Sequence, residues 1–209
     1  MNANDLLQRH LDECPLIAII RGVTPDQVEA IGDALFEGGI RIIEVPLNSP
    51  EPLKSIESLA RSFGERVLVG AGTVLTTDDV RRVKDVGGRI IVSPDTNVDV
   101  ISAAAGAGLV SSPGYFTPSE AFTALRAGAH VLKIFPAEGA SPAVLKAQLA
   151  VMPKGVRVMA VGGIKRDNMR PWLDAGAIGF GLGSGLYKPG QSAADTLEKA
   201  RAYVAGVKR

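Results

Sequence analysis

Lys133 stands in the run Val131-Leu132-Lys133-Ile134-Phe135-Pro136, among neighbours that are all apolar. A charged ammonium is costly to bury there without a partner. Desolvation and neighbouring cations both lower a lysine pKa, which makes a neutral amine available near neutral pH. Such an amine attacks carbonyls and forms Schiff bases. A strand-end lysine that reaches back to solvent, or pairs with an acid, satisfies the same pattern. Glu44, in Ile42-Ile43-Glu44-Val45-Pro46, follows the same logic with the opposite charge. A carboxyl in apolar surroundings has a raised pKa and can shuttle protons, and a buried ion pair with Arg21 or Lys133 is the alternative. The two functional readings support each other, because a Schiff-base lysine needs an adjacent proton-transfer group.

Two glycine-bearing turns, Gly162-Gly163 and Gly183-Ser184, suit an anion. Glycine lets the backbone N–H groups approach a phosphate closely, and Ser184 adds a hydroxyl. Tight turns that need glycine for conformational reasons are the competing explanation. Thr73, in Gly70-Ala71-Gly72-Thr73-Val74, could hydrogen-bond a carboxylate or cap the next helix. Other residues attract plainer expectations. Cys14 beside Pro15 reads as packing, His10 as a solvated helix residue, and Trp172 as the apolar side of a helix. His130 precedes a strand, away from any site at the strand ends. Tyr115-Phe116 reads either as a wall of the site or as core.

These residues fall at the ends of short apolar runs. Eight such runs can be counted: 16–21, 40–46, 67–71, 89–93, 109–113, 131–135, 156–161 and 178–183. They are rich in Val and Ile and apolar at nearly every position, as expected of parallel strands covered on both faces. Between them lie amphipathic helical stretches. Thr24-Pro25, Ser49-Pro50, Thr117-Pro118 and Ser141-Pro142 each place a capping hydroxyl before a proline at the first helical position. Gly38-Gly39, Gly87-Gly88, Gly128 and Gly176 close helices. The last helix spans Ala193–Val207, and the segment before Leu16 adds a leading helix across one end.

Eight alternating strand and helix units predict an α/β fold: a single-domain (β/α)8 barrel over residues 1–209, with an extra N-terminal helix. A doubly wound open sheet is the competitor, but no Gly-x-Gly-x-x-Gly follows the first strand. Barrel chemistry sits at the C-terminal strand ends, where the polar residues are Arg21, Glu44, Thr73, Ser93 and Lys133. Alternation puts Lys133 on the face of Val131 and Phe135, Glu44 on that of Ile42, and Arg21 on that of Ile17 and Ile19. If those faces point inward, an amine, a carboxylate and a guanidinium converge in one mouth.

Composition narrows the choice further. Lys+Arg number 23 against 22 Asp+Glu, with no long basic run, which argues against a nucleic-acid partner. One Cys and 2 His make a metal centre improbable, so no metal or cofactor is expected. No apolar run reaches the ~18 residues of a membrane span, and the first residues lack a signal-peptide pattern, so cytoplasmic localisation is the expectation.

With these residues assembled, the sequence resembles the family of 2-keto-3-deoxy-6-phosphogluconate and 2-keto-3-deoxy-6-phosphogalactonate aldolases. The resemblance runs from Pro15-Leu16-Ile17-Ala18-Ile19-Ile20-Arg21-Gly22 to Gly181-Leu182-Gly183-Ser184, nearly end to end. Its strongest segments are Glu44-Val45-Pro46-Leu47-Asn48-Ser49-Pro50, Gly70-Ala71-Gly72-Thr73-Val74-Leu75, Leu132-Lys133-Ile134-Phe135-Pro136 and Ala160-Val161-Gly162-Gly163-Ile164. The galactonate branch fits best, since the gluconate branch has an arginine at the place of Asn48 and a threonine at that of Val161. The resemblance implies a metal-free class I aldolase with Lys133 as the Schiff-base residue and Glu44 as the proton carrier. Arg21 and Thr73 would hold the carboxylate end, with Gly162, Gly163, Gly183 and Ser184 holding the phosphate and Val161 acting as a selectivity element. A phosphorylated 2-keto-3-deoxy sugar acid would be cleaved to pyruvate and glyceraldehyde 3-phosphate by a homotrimer. The gluconate epimer, 4-hydroxy-2-oxoglutarate and a non-catalytic sugar-phosphate barrel are the alternatives.

Overall fold

Asn2 accepts a hydrogen bond from the Asp5 N–H at 2.9 Å and starts helix α1, Ala3–Glu13. In this computed structural model, which describes residues 2–207, α1 lies across one end of a barrel of parallel strands. The strands are β1 (Leu16–Ile19), β2 (Ile42–Pro46), β3 (Leu68–Gly72), β4 (Ile90–Val92), β5 (Val110–Ser112), β6 (Gly114–Tyr115), β7 (Leu132–Ile134), β8 (Val158–Val161) and β9 (Gly179–Leu182). Their order is β5-β4-β3-β2-β1-β9-β8-β7-β6, and every neighbouring pair is parallel.

Among the described residues, nine strands take the place of the eight expected runs because the fifth, expected to end at Pro113, continues beyond it as β6 after a break at the proline. Proline has no N–H to give to a ladder, so the pairing breaks there. Val110–Ser112 pairs with β4 on one side and Gly114–Tyr115 with β7 on the other. The Pro113 carbonyl still accepts the Lys133 N–H at 2.9 Å. The ring is thereby completed through one strand in two parts.

Helices α2 (Val28–Glu37), α3 (Pro52–Phe63), α4 (Thr77–Asp85), α5 (Val98–Gly106), α6 (Pro118–Arg126), α7 (Pro142–Leu149), α8 (Met169–Asp174) and α9 (Ala193–Val207) cover the outside. Thr117 forms a full capping box with Glu120, and Ser141 caps α7, as the sequence predicts. Two starts differ. The Thr24 carbonyl accepts from the N–H groups of Gln27 and Val28, so a turn precedes α2. Helix α3 begins at Pro52, and the Ser49 hydroxyl instead accepts the Gly22 N–H at 2.9 Å. That bond joins the loops after β1 and β2, which a cap at Ser49 would have left separate.

Two apolar layers separate the barrel interior from its surroundings. Leu16, Ala18, Ile43, Val69, Leu132 and Phe180 face the helices. Ile17, Ile42, Leu68, Ile90, Val110, Val131 and Met159 face inward, where Leu6, Leu7 and Leu11 of α1 plug the floor. His10 is therefore buried and not solvated: it shares the α1 face that carries Leu6, Leu7 and Leu11. Neither of its ring nitrogens has a hydrogen-bond partner among the described residues, and burial holds its pKa below the ordinary value. Cys14 and Trp172 belong to the core, as expected. The Tyr115 ring is core as well, its hydroxyl donating to Gln148 Oε1 at 3.0 Å, whereas Phe116 is exposed at the rim.

Candidate active site

The floor settles which strand faces point inward. Ile42 and Val131 belong to it, and strand alternation turns Glu44 and Lys133 to the same side. Ile19 lies opposite Glu44 in register, and Met159 opposite Lys133. Both charged residues are almost completely enclosed, Glu44 at 3% and Lys133 at 7% exposure. They share a small internal cavity with Ile19, Val92, Ser112, Met159, Val161 and Gly181. The serine on that wall is Ser112 and not Ser93, because Val92 takes the inward position on β4.

Burial pushes the Glu44 carboxyl up to about 7, against the opposing pull of Lys133 and Arg21. Burial also pushes the Lys133 ammonium below its ordinary value; Glu44 acts against the shift, Arg21 adds to it, and Asp95 again opposes it. Glu44 Oε2 has no hydrogen-bond partner among the described residues, so the carboxylate is not locked into a bidentate ion pair. A carboxyl and an amine with pKa values drawn toward neutrality are suited to exchanging protons with a reacting group. Phe135, also on the inward face, places its ring centroid 4.8 Å from Lys133 Nζ. Its quadrupole favours the cationic form of the amine or of an imine built on it.

Room for the Glu44 carboxylate comes from a neighbour that sequence reasoning passed over. A methyl group at Gly72 would lie 1.3 Å from Glu44 Oε2. Gly72 ends the strand next to Glu44, and a glycine at an inward strand-end position beside a carboxylate was the available signal. Gly72→Ala must displace that carboxylate, and we expect it to lower kcat by about 10²-fold with the fold retained. Steady-state kinetics beside circular dichroism checks this; wild-type kcat in a folded variant would show that the carboxylate position is immaterial.

At the open end, the Arg21 guanidinium donates to Asn48 Oδ1 and, at 3.3 Å, to Thr73 Oγ1. The cap of α4 is Thr76, which accepts the Asp79 N–H at 3.1 Å, so Thr73 is free of the capping alternative. Thr73 adopts φ of 56°, unusual for a β-branched residue and the kind of backbone strain that gathers at functional sites. Asn48, marked by the sequence only as a difference between branches and not as a site residue, is placed by the pairing of the two loops where it holds Arg21.

A cleft of about 680 Å³ opens beside this group. Arg21, Phe135, Val161, Gly162, Gly163, Gly183 and Ser184 line it, so every predicted phosphate residue reaches one surface. Val161 borders both this cleft and the internal cavity, between the reactive pair and the glycine turns. A methyl group at Gly181 would lie 2.8 Å from one of the Val161 methyls, so Gly181 makes the space that Val161 fills. Gly162 and Gly163 have φ of 105° and 64°, which glycine alone adopts readily. The anion and tight-turn explanations for these glycines are thus compatible.

A larger cleft of about 1,090 Å³ lies outside the barrel, between residues 165–170 and α9. It is open, lined by charged side chains of both signs, and contains neither Lys133 nor Glu44. Size does not outweigh the enclosed amine and carboxylate. Among the described residues, no group of three or more His, Cys, Asp or Glu could hold a metal, and no helix is long and apolar enough to cross a membrane.

Comparison with known proteins identifies the family and the fold. The family described as KDPG and KHG aldolase matches residues 7–201. A probable 2-dehydro-3-deoxy-6-phosphogalactonate aldolase of Rhizobium meliloti (strain 1021) is 48% identical over 193 residues, covering 92% of this chain and 91% of the relative. The 2-dehydro-3-deoxy-6-phosphogalactonate aldolase of Escherichia coli (strain K12) is 45% identical over 190 residues, covering 91% and 93%. A solved structure described as native KDPGal superposes with a TM-score of 0.92 at 44% identity, covering 94% of this chain and 95% of that one.

Proposed function

Because the chain belongs to the KDPG and KHG aldolase family, we propose that it is a class I aldolase that cleaves 2-dehydro-3-deoxy-6-phosphogalactonate. The products are pyruvate and glyceraldehyde 3-phosphate. The observation that carries this reading is the enclosure of Lys133 and Glu44 in one inward-facing layer, directly under a cleft lined by two glycine turns.

The neutral Lys133 amine attacks the C2 ketone, and Glu44 supplies and removes the protons needed to expel water from the carbinolamine. The resulting iminium is an electron sink. Glu44 then accepts the C4 hydroxyl proton; the C4–O bond becomes a carbonyl, the C3–C4 bond breaks, and its electron pair neutralises the iminium as an enamine. Glyceraldehyde 3-phosphate leaves. Glu44 returns a proton to C3, and water hydrolyses the regenerated iminium to free pyruvate and Lys133. Arg21, oriented by Asn48 and Thr73, holds the substrate carboxylate, and Thr73 contributes its hydroxyl. The phosphate rests on the N–H groups of the Gly162–Gly163 and Gly183–Ser184 turns, with the Ser184 hydroxyl.

Val161 stands where the middle of such a substrate must pass, and its apolar surface offers no hydrogen bond to a C4 or C5 hydroxyl. The expected result is a kcat/KM for the galactonate substrate at least about 10-fold above that for its C4 epimer, the gluconate compound, with Val161→Thr narrowing the ratio. A wild-type preference for the gluconate epimer or for 4-hydroxy-2-oxoglutarate would reject the substrate assignment. Assembly as a homotrimer belongs to the same reading and follows from the family resemblance; light scattering at one or two chain masses would reject it.

A further inference from the structure

Among the described residues lining the open cleft, Glu138 is the only acidic side chain, and Arg21, Lys165 and Lys188 supply the cations. It sits on a short 3-10 turn, Ala137–Gly139, that follows the strand of Lys133. That turn is held firmly. Ala137 is buried in the core, and the Gly139 and Ala140 N–H groups donate to the carbonyls of Pro136 and Ala137 at 3.0 and 3.1 Å.

The Glu138 side chain leaves this anchor and lies over the Gly162–Gly163 turn. A methyl group at Gly163 would stand 2.3 Å from Glu138 Cγ and 3.2 Å from Oε1, and one at Gly162 would stand 3.1 Å from Oε2. The carboxylate thus straddles the two positions whose backbone is suited to an anion. The aldolase mechanism above makes no use of it. A carboxylate and a phosphate dianion repel each other and cannot share one turn.

The geometry points to Glu138 as a specificity-determining residue, an internal anion that covers the phosphate turn and must swing aside when a phosphorylated ligand binds. This rests on the aldolase reading for the identity of the ligand. Its anchor keeps the backbone in place while the exposed side chain is free to change rotamer. The consequence is a KM for phosphorylated substrate above what the turn alone would set, and faster departure of the phosphorylated product. The C2 chemistry at Lys133 is left untouched.

Glu138→Gln keeps the shape and removes the charge; Glu138→Asp keeps the charge on a shorter stem. We expect E138Q to lower both KM for the phosphorylated substrate and the inhibition constant of inorganic phosphate by about 3- to 5-fold, with kcat within about twofold of wild type. E138D stays nearer wild type in both constants. KM for the unphosphorylated 2-keto-3-deoxy sugar acid does not move in either variant, and melting curves check the fold. An unchanged or raised KM in E138Q, an equal shift with unphosphorylated substrate, or an E138D that matches E138Q would overturn the proposal. Borohydride trapping of pyruvate on the wild-type enzyme needs no phosphate and tests the underlying reading separately. Trapping on Lys133 with no effect of E138Q defeats this inference alone, whereas failure to trap defeats the reading on which it rests.

Discussion

Lys133→Ala, and the more closely isosteric Lys133→Met, lower kcat by at least about 10³-fold, because among the described residues no other amine is enclosed beside Glu44. Treatment of wild-type enzyme with pyruvate and borohydride gives irreversible inactivation, and peptide mass spectrometry finds the reduced adduct on Lys133. Neither variant acquires the adduct. Stability separates this outcome from simple unfolding. Burial disfavours the Lys133 ammonium while Glu44 supports it, so Lys133→Met loses the desolvation cost together with the partner of Glu44 and keeps the volume, and circular dichroism with melting curves checks that the variant stays folded. Full activity in a folded variant, or an adduct on another residue, would reject the Schiff-base mechanism, and would leave a barrel that binds sugar phosphates without reacting with them.

Glu44→Gln lowers kcat by about 10²- to 10⁴-fold, the range associated with loss of a general acid–base group. The glutamine fits the space left by Gly72, so the variant is expected to fold as the wild type does. The pH profile identifies the role. A carboxyl raised to about 7 is protonated below neutrality and ionised above it. Since the ionised form accepts the C4 hydroxyl proton, wild-type kcat/KM rises with pH through the neutral range. Deprotonation of Lys133 contributes in the same direction. In E44Q the part of the rise centred near 7 disappears, and what is left belongs to the amine alone. A profile unchanged by the substitution would assign the neutral limb elsewhere. A variant that fails to fold would favour the reading of Glu44 as half of a structural ion pair.

Barrel architecture was legible because its determinants are local. Apolar runs at a regular spacing, hydroxyl–proline starts such as Thr117-Pro118 and Ser141-Pro142, and glycines after helices all act within a few residues of chain. Where the signal competed with a contact from another loop, local reading failed. Ser49 has the right chemistry for a cap, yet its hydroxyl serves the Gly22 N–H across the mouth. His10 has the polarity of a surface residue but sits on the helix face that closes the floor. Pro113, which reads locally as the end of a strand, is followed at once by Gly114–Tyr115, whose place beside β7 comes from the closing of the ring.

The same division holds at the site. Residue types read along the chain supply the chemical inventory: an amine and a carboxylate embedded in strands, two glycine turns after later strands, and few residues able to bind metal. Those are properties of residue type and neighbourhood along the chain. That the faces of Lys133 and Glu44 point inward is settled by packing, because period-two alternation is symmetric until one face is buried by a plug such as α1. Packing also settles that Gly72 yields space to the carboxylate, that Asn48 and Thr73 hold Arg21, and that Glu138 lies on the Gly162–Gly163 turn. Each of these is a contact between segments far apart in sequence, set by the closure of the barrel, and no local pattern encodes it.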